Sequence, residues 1–156
     1  MDGDGQHDPE DLPRFMEIPD PPPLVIGNRM ADPEGMPWMR RAVNWWMSRN
    51  LSRMLGCSLP DTQCGFRMMH LPSWAGLKIA GDHFEIESEI IVRFVRAGLG
   101  VGFVPIRVIY AGERTKIHPV GDTWRWFRWR WNARSRASSI KTSPRACEEA
   151  RGNSLS

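Results

Sequence analysis

Residues 24–29 read Leu-Val-Ile-Gly-Asn-Arg, an apolar triplet that runs directly into a polar turn. Leu24, Val25 and Ile26 predict a short buried strand, because a bounded run of branched apolar residues is typical of a strand covered on both faces. Residues 21–23 are three prolines, which end the helix predicted to begin at Asp8 and Pro9. The spacing of Leu12, Phe15 and Met16 predicts one apolar face on that helix. The first predicted strand of the chain therefore follows directly after the three prolines.

The chain downstream of this strand alternates between helical and extended patterns. Apolar residues, among them Met39, recur at helical spacing over 38–55, and others do so over 85–97. Strands are predicted over 65–69 and 101–110, and a helical turn over 72–77. This alternation indicates an α/β fold with a mixed sheet.

Composition places the 156 residues in the soluble globular class, with room for one domain, since 41% are hydrophobic and 25% charged. The net charge of +3 is segregated: residues 1–20 hold seven acids and one arginine, whereas 132–156 hold five bases and two acids. Such segregation indicates a cation site at one end and an anionic partner at the other. Cys57, Cys64 and Cys147 lack metal-site spacing and predict a reducing compartment rather than a disulfide framework.

The first eleven residues place acidic side chains around flexible glycines. Asp2 and Asp4 are one residue apart, and carboxylates are the ligands that hard divalent cations prefer. An EF-hand is excluded, because His7 and Pro13 stand where that loop needs glycine and glutamate. A helix-capping turn would leave both aspartates unexplained. The interpretation favoured is a metal ion that bridges to a diphosphate, although a lone D-x-D is a common string.

Residues 61–67, Asp-Thr-Gln-Cys-Gly-Phe-Arg, gather an acid, an amide and a guanidinium around a predicted turn. Taken alone, Arg67 is interpreted as a paired surface charge and Cys64 as a buried hydrophobe without a base to activate it. Arg40 and Asn44 lie one helical turn apart, where they could bind a phosphate. A solvated helix face is the alternative for this pair.

Residues 124–131, Trp-Arg-Trp-Phe-Arg-Trp-Arg-Trp, fit neither a helical nor a strand period. Tryptophan with arginine suits the headgroup layer of a membrane, although stacking on single-stranded nucleic acid and simple burial remain open. The tail over 132–156 is rich in serine and arginine and is predicted to be disordered. The predicted domain division is 1–122, then 123–131 as an interfacial segment, then the tail.

Several motifs occur together in a fixed order between residue 2 and about residue 131. They are Asp2-Gly-Asp4-Gly-Gln6-His7-Asp8-Pro9-Glu10-Asp11, Gly27-x-Arg29, Arg40-x-x-x-Asn44, Asp61-Thr62-Gln63-Cys64-Gly65-Phe66-Arg67, Phe84-Glu85-x-Glu87-x-Glu89, and the series Pro105, Ile106, Tyr110, Glu113, Lys116 and Pro119. This ordered series resembles the inverting family 2 glycosyltransferases, in particular the branch similar to dolichyl-phosphate mannosyltransferase. It is far more specific than any one of its motifs.

The resemblance implies the C-terminal part of a GT-A (Rossmann-like) domain, a nucleotide-diphosphate sugar as donor, a polyprenyl or dolichyl phosphate as acceptor, and Mg²⁺ or Mn²⁺. The positions that match metal and donor-diphosphate ligands are Asp2, Asp4 and Gln6. Those expected near the acceptor phosphate are Arg29, Arg40, Asn44 and Lys116. Asp61, which would orient the nucleophile, and Arg67 are the catalytic candidates.

The family places its first strands, which bind the base and ribose of the nucleotide, upstream of the D-x-D segment. This sequence lacks them, so we expect a truncated chain or one that pairs with a separately encoded N-terminal half, and weak binding of nucleotide sugar by the chain alone. The expected location is peripheral, on the cytoplasmic face of the membrane. The alternative function is a catalytically incomplete remnant that binds lipid or, less favoured, nucleic acid.

Overall fold

The computed structural model describes residues 7–77 and 85–109. A 3₁₀ turn, Pro9–Asp11, leads into the first helix. The helices and strands of the described residues follow in the order α1 (Leu12–Met16), β1 (Leu24–Asn28), α2 (Trp38–Leu55), β2 (Arg67–Met69), α3 (Leu71–Ala75), α4 (Glu85–Arg96) and β3 (Val101–Pro105). The α/β class is therefore confirmed.

β1 is the central strand of a three-stranded mixed sheet with the order β2-β1-β3. It pairs antiparallel with β2, so that Leu24 lies opposite Met69, and parallel with β3, so that Leu24 also lies opposite Val101. Residues Leu24, Val25 and Ile26 are fully buried. The apolar run is thus explained by a strand that is paired on both edges and covered on both faces.

α2 and α4 supply the helical part of the core. α4 buries Ile91, Phe94 and Val95 completely, and it contacts both α2 and β3. α2 buries Leu51 and Leu55 into the same hydrophobic cluster as β1 and β3. The predicted bounds of these two helices agree with the structure, because long stretches of regular apolar spacing leave little ambiguity.

The N-terminal helix is shorter than the sequence indicates. The pattern places Leu12, Phe15 and Met16 on one apolar face, but only Phe15 is buried, whereas Leu12 is 49% and Met16 73% exposed. Phe15 stacks on Phe66 with ring centroids 4.5 Å apart. The prediction is wrong for Leu12 and Met16, because a helix of five residues turns only one large side chain towards the core.

Two further predictions need correction. Met39, one of the apolar residues that recur at helical spacing in α2, is 50% exposed, because the core does not extend to the first turn of the helix. Cys57 is disulfide-bonded, so the expectation of reduced cysteines is wrong for this residue, while Cys64 is a free buried thiol.

The predicted strands are also longer than the observed ones. The strand predicted over 101–110 ends at Pro105, and beyond it Val108 forms an isolated β-bridge with His7. Within 7–77 and 85–109, no helix has the length and apolar character needed to cross a membrane. The predicted boundary between residues 122 and 123, and the tail, lie outside the described residues.

Candidate functional site

The carboxyl ends of β1 and β3 meet at one edge of the sheet. The two strands are parallel, and Asn28 at the end of β1 pairs with Pro105 at the end of β3. Arg29 follows β1 directly. In open α/β sheets, ligands bind beyond the carboxyl ends of parallel strands, so this edge is where a site is expected.

Asp61 is the centre of a buried polar cluster at this edge and has no exposed surface. Arg29 donates to it from Nε to Oδ2 (2.8 Å), from Nη2 to Oδ1 (3.0 Å) and from its backbone N to Oδ2 (3.1 Å). Asn44 Nδ2 and the backbone N of Gln63 donate to Oδ1 at 3.0 and 3.1 Å. These five hydrogen bonds fix the carboxylate, and they hold Arg29 and Asn44 in place.

The charge state of Asp61 follows from these contacts. Burial raises the pKa of a carboxyl, but the hydrogen bonds and positive charge of Arg29, with the hydrogen bond from Asn44, outweigh burial and leave the pKa of Asp61 below its usual value. Asp61 is therefore an anion at neutral pH. A carboxylate engaged in this way is suited to position other groups rather than to accept a proton.

Arg29 and Asn44 reach Asp61 from different elements. Arg29 is only 8% exposed and lies at the end of β1, while Asn44 is 4% exposed and lies on the buried face of α2. Arg40 precedes Asn44 by one turn and is half-buried. The structure thus brings together Arg29, Asn44 and Asp61, and Asn44 does not lie on a solvated face.

A chain of hydroxyl and amide groups extends the cluster towards α4. The Ser48 hydroxyl accepts from the backbone N of Thr62 at 3.0 Å and lies 3.1 Å from Thr62 Oγ1. Gln63 Nε2 donates both to Thr62 Oγ1 and to Ser88 Oγ at 3.0 Å. The sequence interpretation missed Ser48 and Ser88, although Ser48 follows Asn44 by one turn, a spacing that could have indicated it.

Arg67 fastens the 61–67 turn to α4. Its guanidinium donates to the main-chain carbonyls of Cys64 (2.7 Å), Glu87 (2.8 Å) and Thr62 (3.1 Å). The interpretation as a surface charge is therefore wrong, because Arg67 is half-buried and its guanidinium joins the turn to α4. A catalytic role for Arg67 stays a prediction.

Cys64 lies beside this cluster and has no exposed surface. Burial raises the pKa of the Cys64 thiol to about 11, with the charges of Arg29 and Asp61 acting in opposite directions. The thiolate is the nucleophilic form, so a thiol with this pKa is inert at neutral pH. This agrees with the prediction that Cys64 is a small buried hydrophobe.

Residues 7–14, the first part of the described chain, are held by hydrogen bonds at the same edge of the sheet. His7 forms a β-bridge with Val108, and the buried Asp11 accepts from the backbone N of Arg107 at 2.7 Å. Arg14 Nη1 lies 3.1 Å from both Asp11 Oδ1 and the carbonyl of Pro105. The described chain therefore begins close to the carboxyl end of β3.

The remaining predicted site residues lie outside the described residues, namely Asp2, Asp4, Gln6 and Lys116, as does the segment 124–131. Within 7–77 and 85–109, no group of three or more His, Cys, Asp or Glu side chains could hold a metal ion. Their assignment to metal and diphosphate or to the acceptor phosphate stays a prediction.

Comparison with known proteins gives several relatives. The chain is 32% identical over 119 residues to an uncharacterized protein of Methanocaldococcus jannaschii, covering 70% of this chain and 48% of that protein. It is 30% identical over 115 residues to an undecaprenyl-phosphate mannosyltransferase of Micrococcus luteus (70% and 47%). It is 29% identical over 120 residues to a UDP-N-acetylglucosamine–dolichyl-phosphate N-acetylglucosaminyltransferase of Methanococcus voltae (70% and 47%).

The chain spans about half the length of these curated relatives. No family model and no solved structure matches it. The relatives from Micrococcus luteus and Methanococcus voltae are named for undecaprenyl phosphate and dolichyl phosphate, which agrees with the motif order. Over the matched part of its length, the chain belongs to the GT-A family 2 glycosyltransferases, in the branch similar to dolichyl-phosphate mannosyltransferase.

Proposed function

We propose that the chain forms the acceptor side of a glycosyltransferase that moves a sugar from a nucleotide diphosphate to a polyprenyl phosphate. The observation that carries this proposal is the buried cluster of Arg29, Asn44 and Asp61 at the carboxyl edge of the sheet. A fixed guanidinium beside an amide donor suits a phosphate, because the forked donors of arginine match its oxygens. The names of the relatives support this class of acceptor.

In the proposed reaction, a phosphate oxygen of the acceptor attacks the anomeric carbon of the sugar. The new carbon–oxygen bond forms as the bond to the nucleotide diphosphate breaks, and that diphosphate leaves with the electron pair. Because the second pKa of a phosphomonoester is about 6, the nucleophile is already largely ionised at neutral pH. No strong general base is needed, which fits an Asp61 whose carboxylate is committed to five hydrogen bonds.

Asp61 is in this proposal a positioning residue. Its carboxylate holds the guanidinium of Arg29 and the amide of Asn44, and these two groups with Arg40 and Lys116 would bind and orient the acceptor phosphate. Arg67 would act indirectly, because its hydrogen bonds to the carbonyls of Cys64 and Thr62 fix the turn that carries Asp61. Preorganised donors of this kind lower the barrier because they need no rearrangement during the reaction.

The family implies Mg²⁺ or Mn²⁺, and Asp2, Asp4 and Gln6 would hold it together with the donor diphosphate. Oxygen ligands of this type suit both ions. The bound ion would neutralise charge on the departing diphosphate. The pinning of residues 7–11 beside the end of β3 supports this placement, since the three residues directly precede the pinned segment.

The proposed location is the cytoplasmic face of a membrane, where the chain would be peripheral, with 124–131 as one contact. The acceptor would be reached in the bilayer, while the nucleotide sugar would come from solution.

The test compares Arg40→Gln with Arg41→Gln, two neighbouring arginines of α2 that lose the same charge. Arg40 is half-buried and shares its face with Asn44, whereas Arg41 is exposed. Binding of farnesyl phosphate, a short soluble analogue, is measured by calorimetry with farnesol as the uncharged reference. Arg40→Gln should weaken binding about tenfold, the loss typical of a charged hydrogen bond, while Arg41→Gln should not.

Donor binding is tested separately, by titrating nucleoside diphosphates into the chain with and without Mn²⁺. Manganese-dependent binding that disappears in Asp4→Ala supports the proposal. If neither donor nor acceptor binds, even with an N-terminal half of a relative supplied, the transferase reading fails and a non-catalytic remnant remains. Salt-sensitive binding to single-stranded oligonucleotides in place of farnesyl phosphate would instead favour a nucleic-acid-binding protein.

A further inference from the structure

The side-chain amide of Asn44 can face Asp61 in only one way. Asp61 is an anion, and its two oxygens accept hydrogen bonds but cannot donate them. The nitrogen Nδ2 of Asn44 therefore lies towards Asp61, and it donates to Oδ1 at 3.0 Å. A flipped amide would bring two acceptor oxygens together in a buried site, which costs free energy. The carbonyl oxygen of Asn44 must consequently face away from Asp61.

That carbonyl oxygen lies beside Ser48. Ser48 Oγ is 3.4 Å from Asn44 Oδ1, and the serine hydroxyl is the donor, because an amide oxygen can only accept. Ser48 Oγ accepts in turn from the backbone N of Thr62 at 3.0 Å, and it lies 3.1 Å from Thr62 Oγ1. Since the one hydroxyl hydrogen of Ser48 is given to Asn44, the Thr62 hydroxyl is the donor in this last contact.

The same order of donors continues to α4. Thr62 gives its one hydroxyl hydrogen to Ser48, so its Oγ1 acts as an acceptor towards Gln63 Nε2, which lies 3.0 Å away. The same Nε2 donates to Ser88 Oγ on α4, also at 3.0 Å. All the links therefore run in one direction, from Gln63 to Asn44, and the negative charge of Asp61 sets that direction.

These links are shielded from water. The side chains that are buried are those of Asn44, Ser48, Thr62 and Ser88, and Gln63 is half-buried. Hydrogen bonds in such surroundings are stronger than in water, and consecutive bonds polarise one another. A lost link would leave a buried polar group without its partner, so the orientation at one end depends on the whole series.

We propose that Ser48, Thr62 and Gln63, here called the polar network, are positioning residues that aim the amide of Asn44 at the acceptor phosphate. Asp61 takes one hydrogen of Asn44 Nδ2, and within 7–77 and 85–109 no acceptor lies within hydrogen-bond distance of the other. That second hydrogen can therefore be donated to a phosphate oxygen. The inference rests on the proposed function and deepens it, because it names residues that act on the acceptor site through Asn44.

The polar network also connects the acceptor site to α4. Gln63 donates to the Ser88 hydroxyl, and Arg67 donates to the carbonyl of the preceding residue, Glu87, at 2.8 Å. Two adjacent residues of α4 are thus bonded to the turn that carries Asp61. The position of α4 and the orientation of Asn44 are therefore coupled.

The experiment compares Ser48→Ala with Ser52→Ala. Each change removes an α2 hydroxyl that accepts from a backbone N at 3.0 Å, that of Thr62 or that of Leu59, so both weaken the attachment of α2 to the following segment. Only Ser48 also donates to Asn44. Ser52→Ala is therefore the matched control for a purely structural role.

The first readout is the side-chain amide of Asn44, observed by NMR in the isotopically labelled chain without any ligand. Ser48→Ala should shift both amide hydrogen resonances and speed their exchange with solvent about fivefold, the factor expected for the loss of one hydrogen bond. Ser52→Ala should leave the shifts and the exchange rate unchanged.

The second readout is the affinity for farnesyl phosphate, measured by calorimetry with farnesol as the uncharged reference. Ser48→Ala should weaken binding of farnesyl phosphate about fivefold, because the Asn44 donor is no longer held in place. Ser52→Ala should bind like the parent chain.

A second pair of variants tests the middle of the polar network. Thr62→Val removes the hydroxyl, whereas Thr62→Ser keeps it and loses only a buried methyl group. The Asn44 resonances of Thr62→Ser should stay closer to those of the parent chain than the resonances of Thr62→Val. This pair carries the test if circular dichroism shows that Ser48→Ala does not fold.

Two results would overturn the inference. Unchanged Asn44 resonances in Ser48→Ala would mean that Asp61 alone orients the amide. Equal effects of Ser48→Ala and Ser52→Ala would mean that any weakening of α2 disturbs Asn44. Failure of the proposed function gives a different result, namely a parent chain that does not bind farnesyl phosphate, and the NMR comparison without ligand still decides whether the polar network orients Asn44.

Discussion

At the residue scale, Asp61 is a buried anion that forms an ion pair with the buried Arg29. Arg29 keeps only 10% of its side chain exposed, so removing the partner charge would leave its guanidinium uncompensated. Asp61→Asn should therefore lower the free energy of unfolding by about 3–5 kcal/mol. Urea denaturation at neutral pH, followed by circular dichroism, measures this change.

The matched control is Asp32→Asn, which removes the same charge from an exposed position and should change stability by less than about 0.5 kcal/mol.

The difference in stability between the parent chain and Asp61→Asn should also depend on pH. Because the pKa of Asp61 is lowered on folding, its contribution is complete above the unfolded pKa of about 4 and is lost as the pH falls through the lower folded value. The difference between the parent chain and Asp61→Asn should narrow below about pH 4, and a constant difference would contradict this account.

At the scale of elements, the close packing around β1 depends on Gly27. A Cβ atom there would lie 2.5 Å from Ile106 Cδ1 and 3.1 Å from Cys64 Sγ, both within a packed interior. Gly27→Ala should lower the free energy of unfolding by about 1–3 kcal/mol, the usual effect of overpacking. Urea denaturation again provides the measurement.

Two further variants distinguish this steric effect from a general effect of alanine. Gly76→Ala should be nearly neutral, because its Cβ would meet nothing closer than the Ser73 carbonyl at 3.7 Å. Ile106→Val deletes the atom at 2.5 Å, so in the Gly27→Ala background it should restore part of the lost stability, whereas alone it should cost about 1 kcal/mol. Purely additive effects of the two substitutions would rule out the clash.

At the scale of the whole molecule, the two ends of the described chain are joined through Asp11. Its buried carboxylate accepts from the backbone N of Arg107, 96 residues later in the chain. Asp11→Ala should leave that amide without its acceptor and lower stability by about 1–3 kcal/mol. It should also speed hydrogen exchange at the Arg107 amide, as measured by NMR.

Glu10→Ala is the control for this change, since Glu10 is an exposed neighbouring acid whose backbone N, rather than its side chain, bonds to Asp8. It should leave exchange at the Arg107 amide unaltered. Equal acceleration in both variants would mean that acidic charge near the N-terminus, rather than this hydrogen bond, protects the end of β3.

Many of the helices and strands were predictable, because the spacing of apolar residues along the chain indicates them. β1 follows from a bounded apolar run, and α2 and α4 follow from sustained helical spacing, with Gly56 adopting the left-handed conformation that ends α2. The errors occur where tertiary contacts override local pattern. Leu12 and Met16 have apolar spacing but no surface to pack against, so they stay exposed.

The sequence by itself determined the α/β class, the order of the elements and, through its ordered motifs, the family. Only the tertiary structure decided that Asp61 joins Arg29, 32 residues before it, and Asn44, 17 residues before it. Only the structure showed that Arg67 binds backbone carbonyls and that Trp38 and Trp45 remain outside the core. The reason is physical: secondary structure follows from neighbours in the chain, whereas burial and charge pairing depend on which distant surfaces come together.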